Sequence, residues 1–342
     1  MASVVMADDG IAFDGATAET GPLGGAETAF VALAEALAAR GHSVEARSRC
    51  ATLLYHRGVN WAPIERGVPN ICDLYIGNRG HRLIGLVPRA RRRVLWLHNP
   101  ARYLRKPRMA ARIAWYRPLI VTTGAYHDST IPPWIVDGGR VVIPYGVLDR
   151  FRHAERREPP PPRAVFTSNP LRGLDWLLDL WVGRIRPAVP EAELHIYAGK
   201  AVYGGAGKHG GAIDTILDRA EKLADAGVFC HDPVGREQIV ELLTSARVML
   251  YRGDPGETFC LALAEAQALG VPAVVTPLGS VGERVTDGVS GCVAKSDDAF
   301  VKAAVEVLRD DALWQRWHEG ALASQRGLSW DEVAWQFEAL IP

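Results

Sequence analysis

The most constraining stretch of this chain is YRGDPGETFCLALAEAQALGVPAVVT, residues 251–276. A loop rich in Gly, Asp and Pro leads into residues 259–269, a run dense in Ala and Leu, which favour helix. Gly270 is a natural residue to close that helix in the left-handed conformation, and Pro272 prevents its continuation. Residues 271–276 then read as a short buried strand. Loop, helix, tight turn and strand in that order make half of an α/β unit, so the expected class is α/β with a parallel sheet.

The start of that helix carries the chemistry. The first amides of a helix have no internal partners, and with the helix dipole they form an anion site. Glu257 stands just before them. Glu265 lies eight residues on, about 12 Å further along the axis at ~1.5 Å per residue. A ligand with an anionic middle and hydroxyls at both ends fits that spacing, and a nucleotide diphosphate sugar has that shape. An ordinary helix with two surface glutamates fits the spacing equally well.

At 342 residues the chain is long enough for two domains of ordinary size, with 48% apolar and 23% charged residues. The formal net charge is zero, so bulk charge points to neither nucleic acid nor membrane. The five cysteines are scattered, with no C-x-x-C pair, and read as reduced thiols of a cytoplasmic protein. The first ten residues have neither a basic segment nor a long apolar run, so no secretory signal is expected. Nowhere do ~18 uninterrupted apolar residues occur, so no membrane span is expected.

The first half, residues 1–150, alternates short apolar runs with helical or turn-rich segments. Strands are expected at residues 3–7, near 43–48, and at 53–55, 73–77, 93–98, 119–123 and 140–143, with a helix over 26–40. Gly24 and Gly25 open that helix after a strand, which suggests amides facing an anion or simply a turn. G-x-G-x-x-G is absent, so a dinucleotide fold is not indicated. His98 closes the run RVLWLH, where ligands bind in open α/β sheets, although an isolated histidine there is as readily a satisfied loop residue.

From position 79 to 117 there are twelve Arg or Lys and no Asp or Glu, with Trp96, Tyr103, Trp115 and Tyr116 interleaved. Such a surface suits anionic lipid headgroups or a lipid-linked acceptor. A solvated basic face is the alternative. No nucleic-acid motif accompanies it.

Residues 151–162, charged and then proline-rich, read as a semi-rigid linker. A second domain is expected over 163–325, and a closing amphipathic helix over 326–342. Arg172, in a turn before a helix, is placed to neutralise phosphate. The glycine-rich residues 201–211 read as a loop over a nucleotide or an excursion.

Taken in order, five blocks carry a resemblance: GGAE (24–27), the strand-end His98, I-P-Y-G-V (143–147), S-N-P-L-R-G-L (168–174), and Glu257 to Glu265. Together they resemble the retaining glycosyltransferases of family 4 (glycosyl transferases group 1). The resemblance implies the GT-B fold, two Rossmann-like doubly wound domains facing across a cleft. It implies sugar transfer from a nucleotide diphosphate sugar to a glycan or lipid-linked hydroxyl, with no cofactor and no metal. The final helix would cross back to the first domain, and a surface polysaccharide or lipopolysaccharide acceptor at the inner membrane face is expected.

Carried over residue by residue, Glu257 contacts the donor sugar and Glu265 the ribose. The backbone around Thr258, Phe259, Cys260 and Leu261 holds the diphosphate. Gly24 and Gly25 lie beside the reacting phosphates and His98 near the donor sugar. Asp232, Pro233 and Val234 meet the base. Thr258 and Cys260 stand where the family has glycines. Ser168 and Asn169 replace its usual Gly-Arg, so Arg172 is left as the main charge for the departing diphosphate. Tyr145 replaces an Asn. Two other readings stay open: a nucleotide-sugar epimerase of the same fold, and a catalytically inactive partner that binds glycan or membrane.

Overall fold

The computed structural model describes residues 1–20, 23–199, 210–232, 234 and 236–342. The chain forms two units, Met1–Gly146 with Leu328–Pro342, and Val147–Gly327. The charged, proline-rich residues 151–162 fall inside the second.

The first unit is built on eight strands: β1 Ser3–Asp8, β2 Ser43–Ser48, β3 Leu54–His56, β4 Val59–Pro63, β5 Ile71–Asn78, β6 Arg89–Trp96, β7 Leu119–Thr122 and β8 Arg140–Val142. Their order is β3-β4-β2-β1-β5-β6-β7-β8, and all neighbours are parallel except β3 with β4. β4 was not expected from sequence, because Asn60 and Pro63 interrupt its apolar pattern. β6 ends at Trp96, so His98 stands two residues beyond the strand.

The helix Gly25–Ala39 packs its alanine-rich side into this unit, burying Ala29, Phe30, Leu33 and Leu37. Phe30, Phe13 and Trp61 form an aromatic cluster with ring centroids 5.5–6.0 Å apart. Ser329 and Glu332 form a capping box on the last helix, Trp330–Glu338. That helix lies on Gly25–Ala39, and Arg40 binds Asp331 and Glu338 at 2.8 and 2.7 Å.

The second unit has strands β9 Arg163–Phe166, β10 Glu193–Tyr197, β11 Val228–His231, β12 Val248–Tyr251, β13 Ala273–Val275 and β14 Gly291–Val293. They are all parallel, in the order β11-β10-β9-β12-β13-β14. β14 is only three residues long in a turn-rich context and carried no readable strand pattern. Buried Arg247 ties the former linker into this unit, donating to Pro160 O at 2.9 Å. Arg157 donates to Leu269 O at 2.7 Å.

The helix after β12 spans Leu261–Ala268, two residues shorter at its start than the apolar run suggested. Cys260 causes the difference, since its backbone is left-handed (φ 64°) and so cannot be helical. The end is as expected. Gly270 has φ 73°, its N–H reaches Gln267 O at 2.9 Å, and Val271 N–H reaches Ala266 O at 2.9 Å, a Schellman closure.

The basic stretch is only partly a surface. Trp96 is fully buried, while Tyr103 and Tyr116 pack against a core of Ile84, Leu95, Leu97 and Ile113. Arg93 and Arg112 lie over the Tyr116 ring at 5.2 and 5.9 Å. Arg102, Arg105, Lys106 and Arg108 are exposed, and of the four aromatics only Trp115, at 82%, is strongly so. Among the described residues no helix is long and apolar enough to cross a membrane. All five cysteines are free thiols.

Candidate active site

In open parallel sheets, ligands bind beyond the carboxyl ends of the strands where the strand order reverses. Each unit has one such point.

In the second unit the reversal lies between β9 and β12. Ser168, two residues beyond β9, and Tyr251, the last residue of β12, bridge it with hydroxyl oxygens 3.1 Å apart. The Tyr251 hydroxyl donates to Glu257 Oε2, so Ser168 is the donor to Tyr251. Glu257 Oε1 accepts from Arg172 Nη1. Glu257 is thus held by a strand-end tyrosine on one oxygen and a loop guanidinium on the other, and it is only 3% exposed. Burial raises its pKa, against the pull of Arg172. Burial works against the charge of Arg172, but Glu257 outweighs it and the guanidinium stays charged. Burial also raises Tyr251, keeping it a donor.

The loop that carries Glu257 is fixed from both sides. Glu257 N–H donates to Asp254 O at 2.9 Å, and Ser280 N–H to Glu257 O at 3.1 Å. Asn169 shapes the opposite turn: its side chain accepts from Leu171 N–H and its carbonyl from Arg172 N–H, each at 2.9 Å. Thr258, Phe259 and Cys260 are buried, and Leu261 is half-buried as the first helical residue. Burial, then the Glu257 carboxylate, pushes the Cys260 thiol well up, so it is a neutral filler here. Glu265 is half-buried in the fifth position of the helix. Asp232 is exposed and Val234 half-buried after β11, while Pro233 lies outside the described residues, as do positions 201–209.

In the first unit the reversal lies between β1 and β5, and their last residues span it: Asn78 Nδ2 donates to Asp8 Oδ2. Arg79 Nη2 donates to Asp8 Oδ2 at 2.7 Å and to Glu27 Oε1 at 2.8 Å. His98 Nε2 donates to Asn78 Oδ1, because the Asn78 amide nitrogen is committed to Asp8. His98 Nδ1 therefore accepts from the Tyr145 hydroxyl. Burial, then Arg79, depresses the His98 pKa well below its usual value, so the ring is neutral. Gly24 caps Gly25–Ala39, and a side chain there would strike Glu27 Oε2, whereas Gly25 faces open space.

Of the residues expected from sequence, Arg172, Glu257 and Ser168 meet at one point, and His98 sits in the first unit's network. The sequence did not single out Tyr251, Asn78, Asp8 and Arg79, which join these hydrogen-bond networks. Each ends or follows a strand, so strand-end polar residues were the available signal. Among the described residues no cluster of three His, Cys, Asp or Glu side chains is arranged to hold a metal ion.

Residues 161–310, which contain the Arg172–Glu257 site, match the family of glycosyl transferases group 1. A D-inositol 3-phosphate glycosyltransferase of Xylanimonas cellulosilytica is 31% identical over 233 residues, 63% of this chain and 54% of that protein. The chain spans about half the length of the curated relatives of this name that it matches. Sucrose-phosphate synthase of Thermosynechococcus elongatus superposes with a TM-score of 0.75 at 16% identity, covering 99% of this chain and 98% of that one. Anabaena HepE, solved with UDP-glucose, gives 0.70 at 13% identity, covering 99% of each. At such identities these likenesses speak for the fold alone. The second unit thus resembles the glycosyl transferases group 1 family, and the chain has the GT-B fold.

Proposed function

We propose that this chain is a retaining, metal-independent glycosyltransferase that moves a sugar from a nucleotide diphosphate sugar to a hydroxyl of a glycan or lipid-linked acceptor. The observation that carries the proposal is the Arg172–Glu257 pair at the second unit's switch point, beside the start of Leu261–Ala268. There Arg172 and the helix amides stabilise charge developing on the departing diphosphate. Glu257, fixed by Tyr251, orients a sugar hydroxyl. The leaving phosphate itself takes the acceptor proton, so no dedicated base is needed. UDP-glucose bound to HepE supports a nucleotide-sugar donor.

On the acceptor side, the exposed Arg102, Arg105, Lys106 and Arg108 with Trp115 support an anionic acceptor or membrane surface at the cytoplasmic face. The relatives' name adds a phosphorylated polyol to the acceptors worth trial. The test is turnover of a nucleotide-sugar panel with D-inositol 3-phosphate and with a lipid-linked glycan, in EDTA, reading the product anomer by NMR. The expected product keeps the donor's anomeric configuration. An inverted product, or loss of turnover with EDTA, contradicts the proposal. Epimerised donor without acceptor would favour an epimerase.

A further inference from the structure

We propose that Arg284 supplies the second positive charge of the diphosphate site, replacing the cation that Asn169 does not provide. This rests on the donor-site reading above. Arg172 alone is a poor source of net charge there, because its guanidinium is already paired with Glu257. The helix start adds only about half an elementary charge, and a diphosphate carries more than that.

Arg284 follows the short turn Val281–Glu283. Its guanidinium carbon lies 4.4 Å above the centre of the Phe259 ring, and Phe259 directly precedes Cys260, the residue that caps Leu261–Ala268. The side chain is 18% exposed, and its only ion pair among the described residues is with its chain neighbour Glu283, at 3.3 Å through Nη2. Nε is buried with no hydrogen-bond partner in the structure. Beyond that pair, this half-buried guanidinium keeps a donor at Nε that an anion's oxygen could meet. Its pKa is lowered, with burial the main cause and the Glu283 carboxylate opposing it. The Phe259 face holds the guanidinium by a cation–π contact, fixing it beside the left-handed Cys260 turn. Arg284 thus acts as a positioned charge and needs no contact with the reacting atoms.

The test measures the affinities of UDP, GDP, ADP and TDP against the matching monophosphates by calorimetry, for the wild type, Arg284→Gln and Arg284→Lys. A charge acting on the second phosphate should cost the diphosphate about tenfold in Arg284→Gln and leave the monophosphate within about twofold. Arg284→Lys should retain most of the diphosphate preference. Equal losses for both ligands would make Arg284 a packing residue and overturn the proposal, as would no loss at all. If Arg284→Gln fails to fold, a loss of preference in Arg284→Lys equally overturns it. A wild type that binds no member of the panel refutes the donor site itself, which distinguishes that failure from this one.

Discussion

Arg172 and Glu257 are 85 residues apart in sequence and share a charge-assisted hydrogen bond across the reversal point of the second unit's sheet. The Tyr251 hydroxyl holds the carboxylate's other oxygen. Replacing Tyr251 with Phe keeps the ring packing and removes that donor. We expect a loss of about 1–3 kcal/mol in unfolding free energy, and a larger fall in kcat than in donor affinity. Urea unfolding with steady-state kinetics checks this; unchanged kcat would remove Tyr251 from the site.

Cys260 holds a backbone conformation (φ 64°) that costs a non-glycine residue about 1–2 kcal/mol. Cys260→Gly relieves that strain but empties a buried position, so stability should stay within about 1 kcal/mol of wild type. Cys260→Val, β-branched in the same conformation, should lose at least about 2 kcal/mol. Denaturant midpoints decide, and equal stability of the two variants would mean the strain is not real.

How far the sequence reached is clear from these residues. The helix behind Cys260 and its Schellman end were legible, because Ala, Leu, Gly270 and Pro272 act locally. Its true start was not, because a cysteine in a left-handed conformation has no sequence signature. Glu257 and Arg172 were legible through the order of motifs. Tyr251, Asn78 and Asp8 were not, since a polar residue ending a strand gains meaning only when the strand order brings two such ends together. The basic run misled in part: Trp96 is a core residue of β6, which charge counting along the chain does not reveal.

His127 sits on Thr123 and Asn99, with Nδ1 2.9 Å from Thr123 Oγ1 and Nε2 3.0 Å from Asn99 O. Burial, opposed by the Asn99 carbonyl, brings its pKa down to about 4. Below pH ~6.5 the unfolded chain therefore binds a proton that the folded chain refuses. Stability should fall as pH drops from about 6.5 toward 4, by up to ~3 kcal/mol from this residue. His98, depressed mainly by burial, acts in the same direction. Unfolding free energies between pH 4 and 7 should show a shallower slope for His127→Gln; an identical slope would contradict the assignment.

The exposed cations Arg102, Arg105, Lys106 and Arg108 should each contribute about 1 kcal/mol to binding an anionic bilayer at low salt. Vesicle sedimentation with phosphatidylglycerol should show binding that weakens with salt and is lost when all four are changed to Ser. Equal binding to neutral vesicles would mean that charge is not the attraction.

The most direct test of the donor site is thermal-shift binding of UDP-, GDP-, ADP- and TDP-linked sugars in EDTA, for the wild type and Arg172→Met. A ligand of the folded state at a hundred times its Kd adds about 2.7 kcal/mol of stability. We expect one nucleotide class to raise the wild-type Tm in EDTA, and Arg172→Met to lose most of that rise. No rise with any donor, or an equal rise in the variant, would contradict the account.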